Sequence, residues 1–470
     1  MKKYSIALLL AIIIYACNQL QKDDQPSKPS IDNQFCSNSA TPNEFCPDLP
    51  SDVSKIIFIG YTSSLDSAVQ THFDVFSWQT FVALNWPADA SGKPIGKLTD
   101  HPESPRVWEH YNTLEDIFNR GENSPLMLSM NQAKSNNLKF FNRMSKSPHR
   151  LDSIGGFVQA DGYPLIDRNL NFAVFEVKIN PDEEKYIKQN HLTSADSIRA
   201  FAGRQAIDFP SSSSNSNGAM EIKTSWRILD TSKGDIPSRY YTREALIYVS
   251  PEHSVNGKSF QVNAKVGLVG MHIIRKTGKF KKMIWSTFEH VDNVPDNVQE
   301  AQMNRNPEHP WSFYNPKALN LVINQPPVAK PTDYKTYKWD TLPPYAKAYA
   351  TDVPGEMKGQ LFGTQVQRMF PIYYVTELIN KLWQDKLKGS VWANYKLIGT
   401  QWIFGFGDGG TDHNAPAAPL YLGNSTMETF LVPTRSSCIT CHGHAGVSYP
   451  DGKFIRTDLS FAFLRFNKSR

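Results

Sequence analysis

The sequence predicts an α+β fold: a central antiparallel sheet, flanking helices, and a C-terminal segment packed onto the main domain. Three observations predict it. Strand-like alternation recurs between residues 170 and 290. Apolar side chains fall at helical spacing over residues 66–85 and again over about 355–387. Apolar residues make up 40% of the chain and aromatic residues 12%, enough to fill one large core.

The first element is a leader. Met1-Lys2-Lys3 is positively charged and Ile6 to Ile14 is almost purely apolar, too short a run for a comfortable membrane span. Residues 1–16 therefore read as a signal peptide. Ile14-Tyr15-Ala16-Cys17 resembles the lipobox of bacterial lipoproteins. That resemblance implies that Cys17 becomes the first mature residue and carries acyl chains, a stable anchor in the cell envelope. Asn18 stands where many such lipoproteins carry an inner-membrane retention Asp, and Gln21-Lys22-Asp23-Asp24 resembles a short surface-export tag. The resemblance thus implies the outer membrane, on its periplasmic or surface face, rather than the inner one.

Residues 17–50 are rich in Gln, Asp, Ser, Pro and Asn and read as a tether. Cys36 and Cys46 lie near its end. In an oxidising compartment they are expected to close a small disulfide loop.

A large α+β domain is expected over 51–423. Lys55-Ile56-Ile57-Phe58-Ile59 reads as a short strand. Val69, Phe73, Phe76 and Phe81 mark one face of a helix that Asn85-Trp86-Pro87 ends. Strands are expected over Asn171–Ile179, Ala219–Leu229, Ala245–Val249, Val262–Arg275 and Lys281–His290, with a Ser/Asn loop at Ser211–Gly218. Thr277-Gly278-Lys279 is expected to turn the last two into a hairpin. Residues 305–355 form a Pro-rich loop region, and the helical stretch over 355–387 contains a potential break at Pro371. Residues 391–405 are rich in aromatics.

The segment 424–470 carries the chemistry. Cys438-Ile439-Thr440-Cys441-His442 is C-x-x-C-H, the covalent attachment signature of a c-type haem. Two thiols at this spacing can add across the two vinyl groups on one porphyrin edge, and the adjacent imidazole can bind the iron. Two other readings compete. C-x-x-C alone can be a redox disulfide, and Cys438, Cys441, His442 and His444 have the composition of a zinc cluster. The adjacency of Cys441 and His442 disfavours a tetrahedral ion, so one covalent haem c is the expected cofactor, with Cys438, Cys441 and His442 as its residues.

The chain ends too soon after His442 to enclose a haem alone, and it has no Met downstream. His444 is too close to His442 to reach the other face. A sixth ligand would come from upstream: Met427 first, then Met369 or His413. A six-coordinate iron carries electrons, whereas an open position binds peroxide or another small ligand.

Asn424 to Ala445 resembles the tail of large bacterial cytochrome c family proteins with one C-terminal haem. Trp285-Ser286-Thr287-Phe288-Glu289-His290-Val291-Asp292-Asn293 also resembles that loosely characterised group, which brings no assigned activity. The resemblance implies a membrane-anchored monohaem cytochrome passing electrons between a partner protein and a substrate or acceptor. The alternatives are a peroxidase-like haem enzyme with an open distal site, and a surface ligand-binding or sensor lipoprotein with a structural haem.

Other residues carry weaker signals. On a turn centred at Gly278, His272 and His290 share one sheet face but lie too far apart for one metal. Each reads more readily as a satisfied sheet histidine than as a ligand. Glu289 and Asp292 have the spacing of an acid/base pair. The tryptophans read as core, with Trp392 and Trp402 the two expected to wall a haem pocket. Net charge is +5 and falls when Lys2 and Lys3 leave, and no basic patch interleaved with aromatics marks a nucleic-acid site. No P-loop, dinucleotide fingerprint, nucleophile elbow or H-E-x-x-H is present.

Overall fold

The computed structural model describes residues 45–53, 66–118, 124–142, 163–278, 280, 283–297, 310–316, 323–325, 338–346, 363–403, 417–430 and 437–467. Among these, nine strands form one sheet. In chain order they are β1 (Asn112–Thr113), β2 (Lys139–Phe141), β3 (Val174–Ile179), β4 (Met220–Ile228), β5 (Thr242–Val249), β6 (Phe260–Lys276), β7 (Met283–His290), β8 (Tyr395–Ile403) and β9 (Ala417–Ala418). The spine runs β1-β3-β4-β6-β7-β8-β9. Pairing along it is antiparallel throughout. The 17-residue β6 is shared: its first half pairs with β5, its second half with β4 and β7. β2 joins β5 in parallel.

Both faces of this sheet are covered. On one face Trp226, Met271, Ile273 and Phe288 pack against Trp78 and Phe81 of α1 (Asp66–Leu84). Four further described helices precede β4: α2 (Leu114–Phe118), α3 (Pro125–Ser135), α4 (Pro181–Gln189) and α5 (Ala195–Ala202). α6 (Tyr374–Lys386) adds Ile379 and Trp383 to the α1 side, where Trp383 stacks on Trp78 at 5.5 Å. On the opposite face Val177, Ile179, Ile274 and Trp285 pack against Ile117 of α2, Ile187 of α4, and Ile198 and Phe201 of α5. The same cluster takes in Ile439, Val447, Ile455, Leu459 and Phe463, so the C-terminal segment is part of the core on that face. Covered on both sides, β4 and β7 are buried along their whole length.

Local sequence accounts for the helix starts. α4 follows Asn180, whose side chain accepts from the Glu183 amide at 3.1 Å, with Pro181 at the first position and three acids in the first turn. α5 follows Ser194, whose hydroxyl accepts from the Ser197 amide at 3.1 Å. α1 and all five expected strands of 170–290 are present, with shifted ends.

Three expectations change. Of the helix expected over 355–387, the described residues hold Tyr374–Lys386, and 355–362 lie outside the described residues. Residues 363–373 are not helical: Pro371 lacks an amide donor and biases the residue before it to extended geometry. The β6–β7 connection is longer than Thr277-Gly278-Lys279, because Lys276 pairs with Met283. It is held by the Ser211–Gly218 loop, whose Ser212 hydroxyl accepts from the Gly278 amide at 2.9 Å. That shift changes the histidines. His272 lies across from Thr287, an odd step from His290, so their rings project from opposite faces. The strand expected at Lys55–Ile59 lies outside the described residues, as do Cys17, Cys36 and His413. No helix among the described residues is long and apolar enough to cross a membrane.

Candidate functional site

The C-x-x-C-H residues form a single short helix, α7 (Cys438–His442). Ser437 caps it, its hydroxyl accepting from the Thr440 amide at 3.3 Å. Gln401 of β8 fixes it to the sheet: its Oε1 accepts from the Ile439 amide at 3.0 Å, and its Nε2 donates to Pro419 O at 2.7 Å. Ile439 is buried in the cluster beneath. Helical spacing puts Cys438, Cys441 and His442 on one side of this turn. Cys438 is half-buried and Cys441 exposed, and both are thiols.

His442 is buried, edge-on to Trp285 at 5.6 Å and 4.7 Å from the Phe461 ring. Its Nδ1 lies 2.6 Å from Leu459 O. A carbonyl can only accept, so Nδ1 carries a proton. The segment after the helix returns as a hairpin, β10 (Gly446–Ser448) with β11 (Phe454–Arg456). A Cβ at Gly446 would fall on the Phe454 ring, so only glycine lets these strands close. Arg456 Nη1 donates to Gly443 O at 2.8 Å and caps the end of α7.

Upstream, Asn424 to Glu428 lie on the same sheet face. Asn424 Nδ2 donates to Thr287 Oγ1 at 2.9 Å and to Phe288 O at 3.1 Å. Glu289 accepts from the Ser425 amide at 2.6 Å and is held by both terminal nitrogens of Arg368 at 3.1 Å. Thr426 bonds the Ser225 hydroxyl at 2.6 Å, across Gly270, where any Cβ would strike both oxygens. Met427 is buried among Phe175, Val269, Val294, Phe313 and Val366, a different apolar cluster from the one under α7. Met369 is half-buried beside Arg368.

The remaining candidates divide. His290 is a framework residue. Its Nε2–H donates to Arg239 O at 2.9 Å and its Nδ1 accepts from the Asp292 amide at 3.1 Å. Burial holds its pKa down to about 4, against the opposing pull of Asp292. Asp292 accepts from Arg239 Nε at 2.6 Å and Nη2 at 3.0 Å. Glu289 and Asp292 are thus each tied to an arginine rather than poised as an acid/base pair. His272 Nε2 is 3.4 Å from Glu428 Oε2. Trp392 belongs to the α1-side core, and Trp402 stacks on Phe73 at 3.8 Å. The tryptophan beside the motif is Trp285, which only the β6–β7 register brings there. His444 is exposed. Cys46 is disulfide-bonded, with its partner outside the described residues.

Beneath the C-terminal segment lie Glu183 and Glu221, fully buried, with no hydrogen bond to any of their four carboxylate oxygens. Lys223 Nζ is 3.2 Å from Glu221 Oε2, an ion-pair distance off the line of a hydrogen bond. Burial raises the Glu183 pKa well above its usual value, and Glu221 and Asp458 push it further.

Two thiols on one helical turn and an adjacent imidazole that carries a proton on Nδ1 are the donor types that a covalent haem uses. Among the described residues, no group of three or more His, Cys, Asp or Glu is gathered to hold a metal ion, so the four zinc candidates are not assembled as a cluster. No protein-family model, curated protein or solved structure matches this chain.

Proposed function

We propose that this chain is a monohaem c-type cytochrome, anchored to the cell envelope through Cys17 and passing electrons between a redox partner and an acceptor. Cys438 and Cys441 hold the haem through thioethers and His442 binds the iron through Nε2. The observation that carries the reading is the His442–Leu459 hydrogen bond: it fixes the tautomer a metal ligand needs, on the one helix that also carries both thiols. When bound, haem c supplies one-electron chemistry or, with an open sixth position, binds a small ligand. Trp285 and Phe461 pack the ring and limit its rotation, and Gln401 keeps α7 in register with β8.

The burial of Met427 in its own apolar cluster favours a second reading, in which Met427 is core and the sixth position is open, as in a peroxidase-like enzyme. Absorption of the reduced, haem-loaded protein with and without carbon monoxide separates the two. A spectrum unchanged by carbon monoxide, and altered in Met427→Ala, supports electron transfer with Met427 bound. Rapid carbon monoxide binding unaffected by Met427→Ala supports the open site. Haem that extracts into acid–acetone contradicts both. Cys17→Ser is expected to move the protein from the membrane to the soluble fraction, and unchanged membrane attachment contradicts the anchor.

A further inference from the structure

We propose that the buried Lys276–Asp458 ion pair is a positioning device for His442, setting its tautomer and ring orientation through the Leu459 carbonyl. The proposal rests on the reading of His442 as the iron ligand.

The carbonyl that His442 uses comes from an unusual piece of backbone. Asp458 and Leu459 both have left-handed φ angles, +50° and +67°. Asp tolerates that region, but Leu adopts it only against the clash of its Cβ with the backbone. Two such residues in succession persist only where their surroundings hold them. Asp458 supplies the hold. One carboxylate oxygen, Oδ2, accepts from Lys276 Nζ at 2.6 Å and from the Phe209 amide at 2.8 Å. Lys276 is the last residue of β6 and its side chain is only 2% exposed, so the anchor point is the sheet itself. Its other partner, Asp208, is mostly exposed and is the weaker tie. On the far side the turn is closed by Thr457 Oγ1 donating to Ser460 O at 2.6 Å and by the Ser460 amide donating to Thr457 O at 3.0 Å. The Leu459 side chain is buried with Ile439 and Phe463.

The chain of contacts runs from sheet to Lys276, to Asp458, to the strained turn, to Leu459 O, to His442 Nδ1. Held this way, the carbonyl meets the ring at 2.6 Å. A strong acceptor on Nδ1–H makes the imidazole a better electron donor at Nε2. That favours ferric iron and lowers the midpoint potential. An ion pair that only pins the C-terminal segment would stabilise the fold without selecting a tautomer.

The test uses the full chain, haem-free and haem-loaded. In the haem-free protein with nitrogen-15 histidine, the His442 signals are identified by their absence in His442→Gln. The wild type should show His442 as a single Nδ1-protonated tautomer. Asp458→Asn and Lys276→Met should each lose that single form and show a mixture, and Lys276→Arg should restore it. Asp451→Asn, which breaks the exposed pair with Arg199 on the same segment, should change nothing. In the haem-loaded protein, Asp458→Asn and Lys276→Met should raise the midpoint potential at unchanged haem content. An unaltered tautomer and potential in both variants would overturn the proposal. So would unfolding of both, which would place the pair in global stability alone. A wild type that takes up no covalent haem contradicts the axial-ligand reading instead, whatever the tautomer result.

Discussion

His290 is neutral in the folded protein and its ring is fully committed, donating from Nε2 and accepting at Nδ1. Its pKa falls from 6.5 to about 4 on folding, chiefly through burial. The unfolded chain therefore takes a proton below about pH 6.5 that the folded chain refuses until about pH 4, and stability is lost as pH falls through that window. Chemical denaturation should show a loss of roughly 2 kcal/mol between about pH 7 and pH 5 from this residue. The stability difference between wild type and His290→Gln should shrink over that window, and a difference that does not change with pH contradicts the buried neutral ring. Glu183 has the opposite sign. Its folded pKa is raised, so its penalty is absent in acid and grows as pH rises above the ordinary 4.5. Glu183→Gln should stabilise the protein by roughly 1–3 kcal/mol at alkaline pH, with the gain shrinking toward mild acid. Thermal unfolding of the two proteins across pH checks this, and a gain independent of pH rules out the explanation. Much of the residue scale is legible in the sequence. Cys438, Cys441 and His442 announce themselves by spacing. Leu459 does not, because its contribution is a carbonyl, and every residue has one. The turn that presents it carries Asp and Leu where a glycine would have signalled left-handed backbone.

The elements near the motif are each too small to stand alone. α7 is five residues long, below the length at which a helix persists in water. Among the described residues β10 and β11 pair only with each other, and an isolated hairpin is marginal. Ile439, Val447, Ile455 and Phe463 order them by packing on Ile179, Ile274 and Trp285. A fragment of residues 424–470, loaded with haem, should therefore lack native secondary structure and bind carbon monoxide indiscriminately. A fragment with the circular dichroism and spectrum of the whole protein contradicts that dependence. The long strands were readable because β6 and β7 carry apolar, β-branched and aromatic residues in sustained runs. β1, β2 and β9 are two or three residues long and owe their form to the neighbours they pair with. Asn180-Pro181-Asp182-Glu183 is a helix start written in the sequence, but it sits inside a region whose dominant pattern is strand. The β6–β7 connection is held by Ser212, remote in sequence, and the β6–β7 register sets Trp285 opposite Ile274.

The whole molecule is a sheet covered on both faces, with α1 and α6 on one side and α2, α4, α5 and the C-terminal segment on the other. Ile439 to Phe463 thus complete a core begun at Leu114, and Arg465 Nη1 donates to Leu114 O at 2.9 Å across that distance. The antiparallel sheet with helices around it follows from pattern alone. The layering does not, because it depends on which face each helix covers. Placing the motif in this core makes the large domain the support of the site. Cys438 and Cys441 are proposed to bind one haem covalently. The most direct measurement is the intact mass of the denatured protein after expression with haem maturation machinery. The wild type should gain the mass of one haem, and a Cys438→Ser, Cys441→Ser double variant should show no such covalent species. A wild-type chain carrying no added mass, from a preparation in which a control c-type cytochrome is fully loaded, would contradict it.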